Sequence, residues 1–129
     1  MNKQRKEFEL ALAVEEWGWK YHHMGVPTTE KRPEERYIPH LKFYVSGFET
    51  SPFGVEWMRF DSDCEMPEII QRIPHLAFEV EDVHEALRRA DFEILTAPNA
   101  PVEGIMVAMI LDNGAPIELI SFSEEYREQ

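Results

Sequence analysis

Cysteine is nearly absent from this sequence. Cys64 stands alone, so no disulfide can close within the chain and no cysteine cluster can hold a metal. Basic residues are scarce as well: 13 Lys and Arg face 25 Asp and Glu, for a formal net charge of −12. Nucleic-acid affinity rests on cations neutralising phosphates, so DNA, RNA and anionic membrane surfaces are poor partners for this chain. A small anionic ligand in a locally basic cleft is not excluded. No apolar run approaches the roughly 20 residues of a membrane span. The opening MNKQRKEFELALAVEEW starts basic, but Glu7, Glu9, Glu15 and Glu16 interrupt what a secretory signal would need as an apolar core. A cytoplasmic location is expected. There is no glycine-rich phosphate loop and no dinucleotide fingerprint.

What is present suits one globular domain over residues 1–129: the 43 % hydrophobic content is ample for a core at this length. Residues 3–16 read as an amphipathic helical arm, with Phe8, Ala11, Leu12 and Glu15 at helical spacing. Strands are expected over Trp19–Val26, Leu41–Val45 and Val55–Phe60, and TTEKRPEER, which holds Pro33, supports at most a short helix or a loop. Asp61–Pro67 reads as a polar connector. Beyond it, His75–Val80 is a strand, and Asp82 can cap a helix through Asp91 whose apolar positions are Val83, Ala86, Leu87 and Ala90. Phe92–Thr96 and Ile105–Leu111 are strands flanking the loop APNAPVEG, and Asp112-Asn113-Gly114 is a tight turn into a last strand, Pro116–Phe122. The second half is thus β-α-β-β-β.

Two segments nearly rhyme, IPHLKFYV at 38–45 and IPHLAFEV at 73–80, yet spacing assigns the internal symmetry elsewhere. In the second half a histidine opens the first strand, and Glu118 in PIELISF follows 43 residues later. The segment FGVEWMRF aligns with APIELISF, placing Glu56 opposite Glu118. His40 lies only 16 residues before Glu56, too few for the intervening elements; His23 lies 33 before it, short of the ruler by about one helix. HMGV then matches HLAF. Strand alternation gives a second check. Leu76, Phe78 and Val80 share the face that suits the following helix, while His75 and Ala77 share the other; His23 and Gly25 share a face in the same way. Glu118 and Glu56 each point opposite to their apolar neighbours. Two histidines and two glutamates therefore fall on the side of four strands away from the helix; His22 points opposite to His23, which leaves it the less favoured candidate for the first module's ligand.

The segments HLAFEVEDVHEAL (75–87) and DNGAPIELISF (112–122), and more weakly HHMGV (22–26) and VEWMRF (55–60), resemble the vicinal oxygen chelate superfamily of glyoxalase I, methylmalonyl-CoA epimerase, ring-cleaving dioxygenases and bleomycin-resistance proteins. The resemblance implies an α+β fold of paired βαβββ modules forming a curved mixed sheet around a cleft. The first module would span 19–62 with a reduced helix, the second 71–124, and 1–16 would be an arm. It also implies the metal ligands His23, Glu56, His75 and Glu118, a His2Glu2 pattern similar to bacterial glyoxalase I. Epimerases of the superfamily usually carry glutamine at the position of Glu56. Such a set suits one divalent ion, Zn, Ni, Co, Mn or Fe.

The expected chemistry is metal-stabilised enediolate proton transfer on a small oxygenated substrate, an isomerase or lyase reaction similar to lactoylglutathione lyase, with Glu118 or Glu56 moving the proton. Scarce basic residues and the reduced first module argue against a glutathione substrate as such. Two alternatives stand beside it: a bleomycin-resistance type binding protein with an aromatic groove drawn from Tyr21, Tyr44, Phe53 and Trp57, or an extradiol-type dioxygenase. Arg59 or Lys20 would partner the glutamates if their faces were reversed. His40, Lys42 and Tyr44 alternate onto one face of their strand and read as a solvated face or, less simply, as an oxyanion site. His84 opens a helix and should be exposed; Trp17, Trp19 and Trp57 read as core or subunit interface. Cys64 has no nucleophile's neighbours. The superfamily's habit of pairing modules across subunits implies a homodimer.

Overall fold

The computed structural model describes residues 4–129. Its elements run α1 (Leu12–Glu15), β1 (Lys20–Pro27), β2 (Arg36–Ile38), β3 (Phe43–Ser46), β4 (Val55–Phe60), α2 (Glu68–Arg72), β5 (His75–Glu79), α3 (Val83–Leu87), β6 (Glu93–Val102), β7 (Ile105–Asp112), β8 (Ala115–Phe122) and α4 (Glu124–Arg127). The eight strands form one mixed sheet, order β2-β3-β4-β1-β5-β8-β7-β6, curled into a half-barrel. This is the α+β architecture of two βαβββ modules, the first lacking its helix. No helix among the described residues is long and apolar enough to cross a membrane.

The two halves repeat each other outward from the centre. β1 pairs in parallel with β4, which pairs antiparallel with β3 and that with β2; β5 pairs in parallel with β8, which pairs antiparallel with β7 and that with β6. The modules join where β1 and β5 run antiparallel, with His23 opposite Ala77 and Gly25 opposite His75. In each module the residue two past the histidine sits beside the glutamate: Gly25 against Glu56, Ala77 against Glu118. The pairing of His23 with His75 and of Glu56 with Glu118 is therefore the symmetry of the fold. His40 lies exposed in the turn between β2 and β3, which confirms that the IPHL rhyme is not.

The helix side of the second module holds the larger core. Trp19, Val80, Val83, Ala86, Ala108 and Leu119 are buried there, with Trp17, Phe78 and Phe92 packed against them. Asp82 caps α3 as its sequence suggests, accepting a hydrogen bond from Glu85 N at 3.0 Å. The helix stops at Leu87, short of the expected Asp91, because its apolar stripe ends there: Ala90 is exposed, and the chain turns so that Phe92 can pack on Trp17 and Trp19. Leu76 lies beyond the helix's cover and is 39 % exposed.

In the first module residues 28–35 form a loop where the second has α3. A loop of that length presents no apolar stripe, and cations stacked on rings cover the sheet instead. Arg32 stands over Trp57, 4.9 Å from the ring centre. Arg59 lies 4.1 Å over Tyr44 while donating to both carboxylate oxygens of Glu35, at 2.8 and 2.7 Å. The opposite face of these strands carries a smaller core of Phe43, Val45 and Met58.

Several elements differ from expectation. The arm is helical only over Leu12–Glu15, and residue 3 of the expected helix lies outside the described residues. Phe8 and Leu10 are 83 % and 61 % exposed, so nothing here buries the apolar face that would stabilise a short helix. Arg36–Ile38 forms a strand that the polar text before it conceals, and Glu68–Arg72 forms a helix that the sequence reading leaves unassigned. APNAPV, expected as loop, continues β6 through Val102 with shifted register at three places. Pro98 and Pro101 are tolerated because β6 is an edge strand, whose outer backbone groups need no partner.

Candidate metal centre

The site grows out of an irregularity in β1. Tyr21 pairs with Phe78 and His23 with Ala77, so His22 is an extra residue without a cross-strand partner, a β-bulge. Simple alternation puts His22 on the face opposite His23; the bulge overturns that expectation and brings the two imidazoles together. Their Nδ1 atoms lie 2.8 Å apart in a hydrogen bond. The His22 ring is lodged between Phe48 and Phe122, at centroid distances of 5.2 and 5.5 Å. The sequence signal that could have revealed this is the HH doublet itself, since bulges recur beside functional sites and re-aim side chains.

The structure brings the four expected residues together within one chain. His23 and His75 are 6 % and 3 % exposed, their rings 5.7 Å apart. Glu118 Oε1 lies 3.3 Å from His23 Nε2 and 3.2 Å from His75 Nε2. Donor atoms of His23, His75 and Glu118 all fall within 4.8 Å of one another. Glu56 stands beside this trio, its Oε1 3.7 Å from His23 Nε2. The geometry follows from the register: two adjacent parallel strand pairs, joined back to back, direct two histidines and two glutamates to the same side at the centre of the sheet.

Charge and burial pull the groups of the cluster in different directions. Burial pushes the Glu118 carboxyl upward, but hydrogen bonds and charge from His23 and His75 outweigh it and hold the pKa down to about 2. For His23, burial works against the charged form, while Glu118 and then Glu56 raise its pKa overall. Glu56 is raised, because burial exceeds the help it receives from His23. His22 is lowered, first by burial and then by the neighbouring His23. Nδ1 of His75 is buried with no hydrogen-bond partner.

This donor set fits a divalent ion. Imidazole nitrogens and carboxylate oxygens sit about 2.0–2.2 Å from zinc, so two donors on one ion are at most roughly 4.4 Å apart. The separations of 3.2 and 3.3 Å from Glu118 to the two imidazoles lie within that limit, and the 4.8 Å within which all three donors fall is close to it.

Other residues singled out by sequence lie elsewhere. Arg59 is committed to Glu35, and Lys20 is exposed at the start of β1. Lys42 precedes β3 with φ of 59° and bonds Asp63 at 2.8 Å, so His40, Lys42 and Tyr44 do not form one face. The aromatic groove expected of Tyr21, Tyr44, Phe53 and Trp57 does not form. Tyr21 donates to the Phe53 carbonyl at 2.7 Å, Phe53 is 76 % exposed, and Tyr44 and Trp57 lie under Arg59 and Arg32. The rings that touch the site are Phe48 and Phe122. His84 is exposed, and Cys64 donates to the Leu41 carbonyl.

No protein-family profile matches this sequence, and no curated protein matches it. Solved structures do share its fold. A hypothetical protein from Bacillus halodurans C-125 superposes with a TM-score of 0.63 at 15 % identity, covering 82 % of this chain and 96 % of that one. Methylmalonyl-CoA epimerase from Mycobacterium tuberculosis superposes with a TM-score of 0.58 at 14 % identity, covering 85 % and 92 %. These likenesses establish the fold.

Proposed function

We propose that this chain is a divalent-metal-dependent isomerase or lyase of the vicinal oxygen chelate type, moving a proton beside a carbonyl of a small oxygenated substrate in the cytoplasm. The observation that carries the reading is the trio of buried His23 and His75 with half-buried Glu118, donors within 4.8 Å, and Glu56 adjoining at 3.7 Å from His23. Imidazoles and carboxylates withdrawn from water are costly unless partnered, and a divalent ion is a partner that satisfies His23, His75 and Glu118 together. The epimerase among the structural neighbours supports an isomerase-type reaction.

A bound divalent ion would supply Lewis acidity to a substrate oxygen. His23, His75 and Glu118 would hold it, since Glu118 already meets both imidazoles at hydrogen-bond distance. The two glutamates are not equivalent. Glu118 lies 3.3 and 3.2 Å from the two imidazoles, whereas Glu56 makes a single, longer contact and is the freer to take and return a proton. Phe48, 37 % exposed beside His22 and His23, flanks the site and limits water's approach from its side. The four groups meet within one chain, so a homodimer, supported by exposed Phe8 and Leu10, would not be needed to complete the site.

The test is elemental analysis of purified protein, followed by exchange of substrate α-protons with deuterated solvent and hemithioacetal turnover, each with Zn, Ni, Co, Mn or Fe restored. One bound ion per chain and metal-dependent exchange are expected. Protein that neither carries nor takes up a divalent ion overturns the reading.

A further inference from the structure

Resting on that reading of the metal centre, we propose that His22 is a positioning residue: its Nδ1 accepts the Nδ1 proton of His23 and so leaves Nε2 of His23 bare toward Glu118 and Glu56. The argument is one of proton count. Nε2 of His23 faces the two glutamates, at 3.3 and 3.7 Å. A nitrogen that binds a metal carries no proton, so a neutral His23 ligating through Nε2 must hold its proton on Nδ1. The 2.8 Å contact between the two Nδ1 atoms accommodates one proton. His23 is then the donor and His22 the acceptor, with the proton of His22 on its own Nε2. An imidazole that donates its far N–H in this way is fixed in tautomer and orientation, and its ligating nitrogen becomes more basic.

Two further features point to a built arrangement. The β1 bulge places His22 on the site side, and Phe48 and Phe122 clasp its ring with Nδ1 against Nδ1 of His23. The pseudosymmetric module has no equivalent. The residue matching His22 there is Pro74, which offers no side-chain acceptor, and Nδ1 of His75 is buried without a partner. The two imidazoles of the centre are therefore unequal: His23 has a fixed tautomer and His75 does not.

The experiment uses His22→Phe, which keeps a ring between Phe48 and Phe122 but removes the acceptor, and His22→Asn, whose side-chain carbonyl can replace it. Cobalt and zinc affinities are measured by chelator competition. The histidine 15N spectra of the wild type are recorded metal-free and zinc-loaded. In the zinc-loaded wild type, His23 should show a protonated Nδ1 and His22 a bare one. His22→Phe should lose roughly 10–100-fold in metal affinity, the usual cost of removing such an outer partner, and His22→Asn should regain most of it. Affinity of His22→Phe within twofold of wild type, a His22 nitrogen that itself binds cobalt, or a His23 proton on Nε2 in the zinc-loaded protein would each overturn the proposal. If His22→Phe does not fold, the wild-type spectra and His22→Asn decide. A wild type that binds no metal removes the metal reading and this role together; metal binding indifferent to residue 22 removes this role alone.

Discussion

Gly25 and His75 face each other across the β1–β5 pair, and the imidazole of His75 occupies the space a side chain on residue 25 would need. A Cβ built on Gly25 would stand 2.2 Å from Cε1 of that ring and within 2.8 Å of both its nitrogens. The glycine of the first module is thus the seat of the histidine of the second. The reciprocal position, opposite His23, holds Ala77, the smallest side chain that still packs.

Gly25→Ala should therefore act on the metal centre first. His75 is 3 % exposed and its ring fills the space the new methyl needs, so the ring is expected to swing off Glu118. A loss of metal affinity exceeding tenfold is expected, together with about 1–3 kcal/mol of stability, the usual cost of overpacking a filled interior. Chelator competition and urea unfolding measure the two. Unchanged metal affinity in this variant would mean that His75 does not hold the ion.

The two glutamates should separate when each is changed to glutamine. Glu118 bridges His23 and His75, while Glu56 touches His23 alone. Glu118→Gln is expected to lose the ion by more than the roughly 10–100-fold that an outer partner costs. Glu56→Gln should keep the ion within about tenfold of wild type yet lose substrate α-proton exchange, because an amide cannot accept the proton. Isothermal titration with zinc and exchange followed by proton NMR would distinguish them; equal losses of metal from both variants would contradict the division of labour.

Acid should weaken the first module through Glu35. The bidentate hydrogen bond from Arg59 holds the Glu35 carboxyl down to about 2, against 4.5 ordinarily. A group whose pKa is depressed by folding stabilises the fold above its unfolded pKa, and that contribution disappears as pH falls through the folded value. Between about pH 4.5 and 2 the unfolded chain takes up a proton the folded chain does not, so stability must fall. Glu35→Gln should show a shallower decline of urea midpoint between pH 5 and 3 than wild type. Parallel profiles would show that the Arg59 contact contributes nothing in solution.

Much of this centre could be read before any coordinates. The spacing of His75 and Glu118, the matching of HMGV with HLAF, and the small residues two places beyond each histidine all follow from strand periodicity and from one module copying another. Those are local patterns, and the β1–β4 and β5–β8 registers reproduce them residue for residue. The limits of helices and edge strands were less legible. Where α3 stops depends on what Phe92 can reach, and β6 continues through two prolines only because no strand pairs with its outer edge.

Spacing and strand alternation alone determined that this chain holds two similar halves, with two histidines and two glutamates directed away from the helix, because side-chain direction along a strand is set by residue count. Which face His22 takes was decided by tertiary structure alone. An unpaired residue in β1 breaks that count, and only the cross-strand register between Tyr21–Phe78 and His23–Ala77 shows where the break falls. The same holds for the ring of His75 over Gly25: sequence supplies the small residue, but its opposition to that imidazole arises from the meeting of two modules fifty residues apart in the chain.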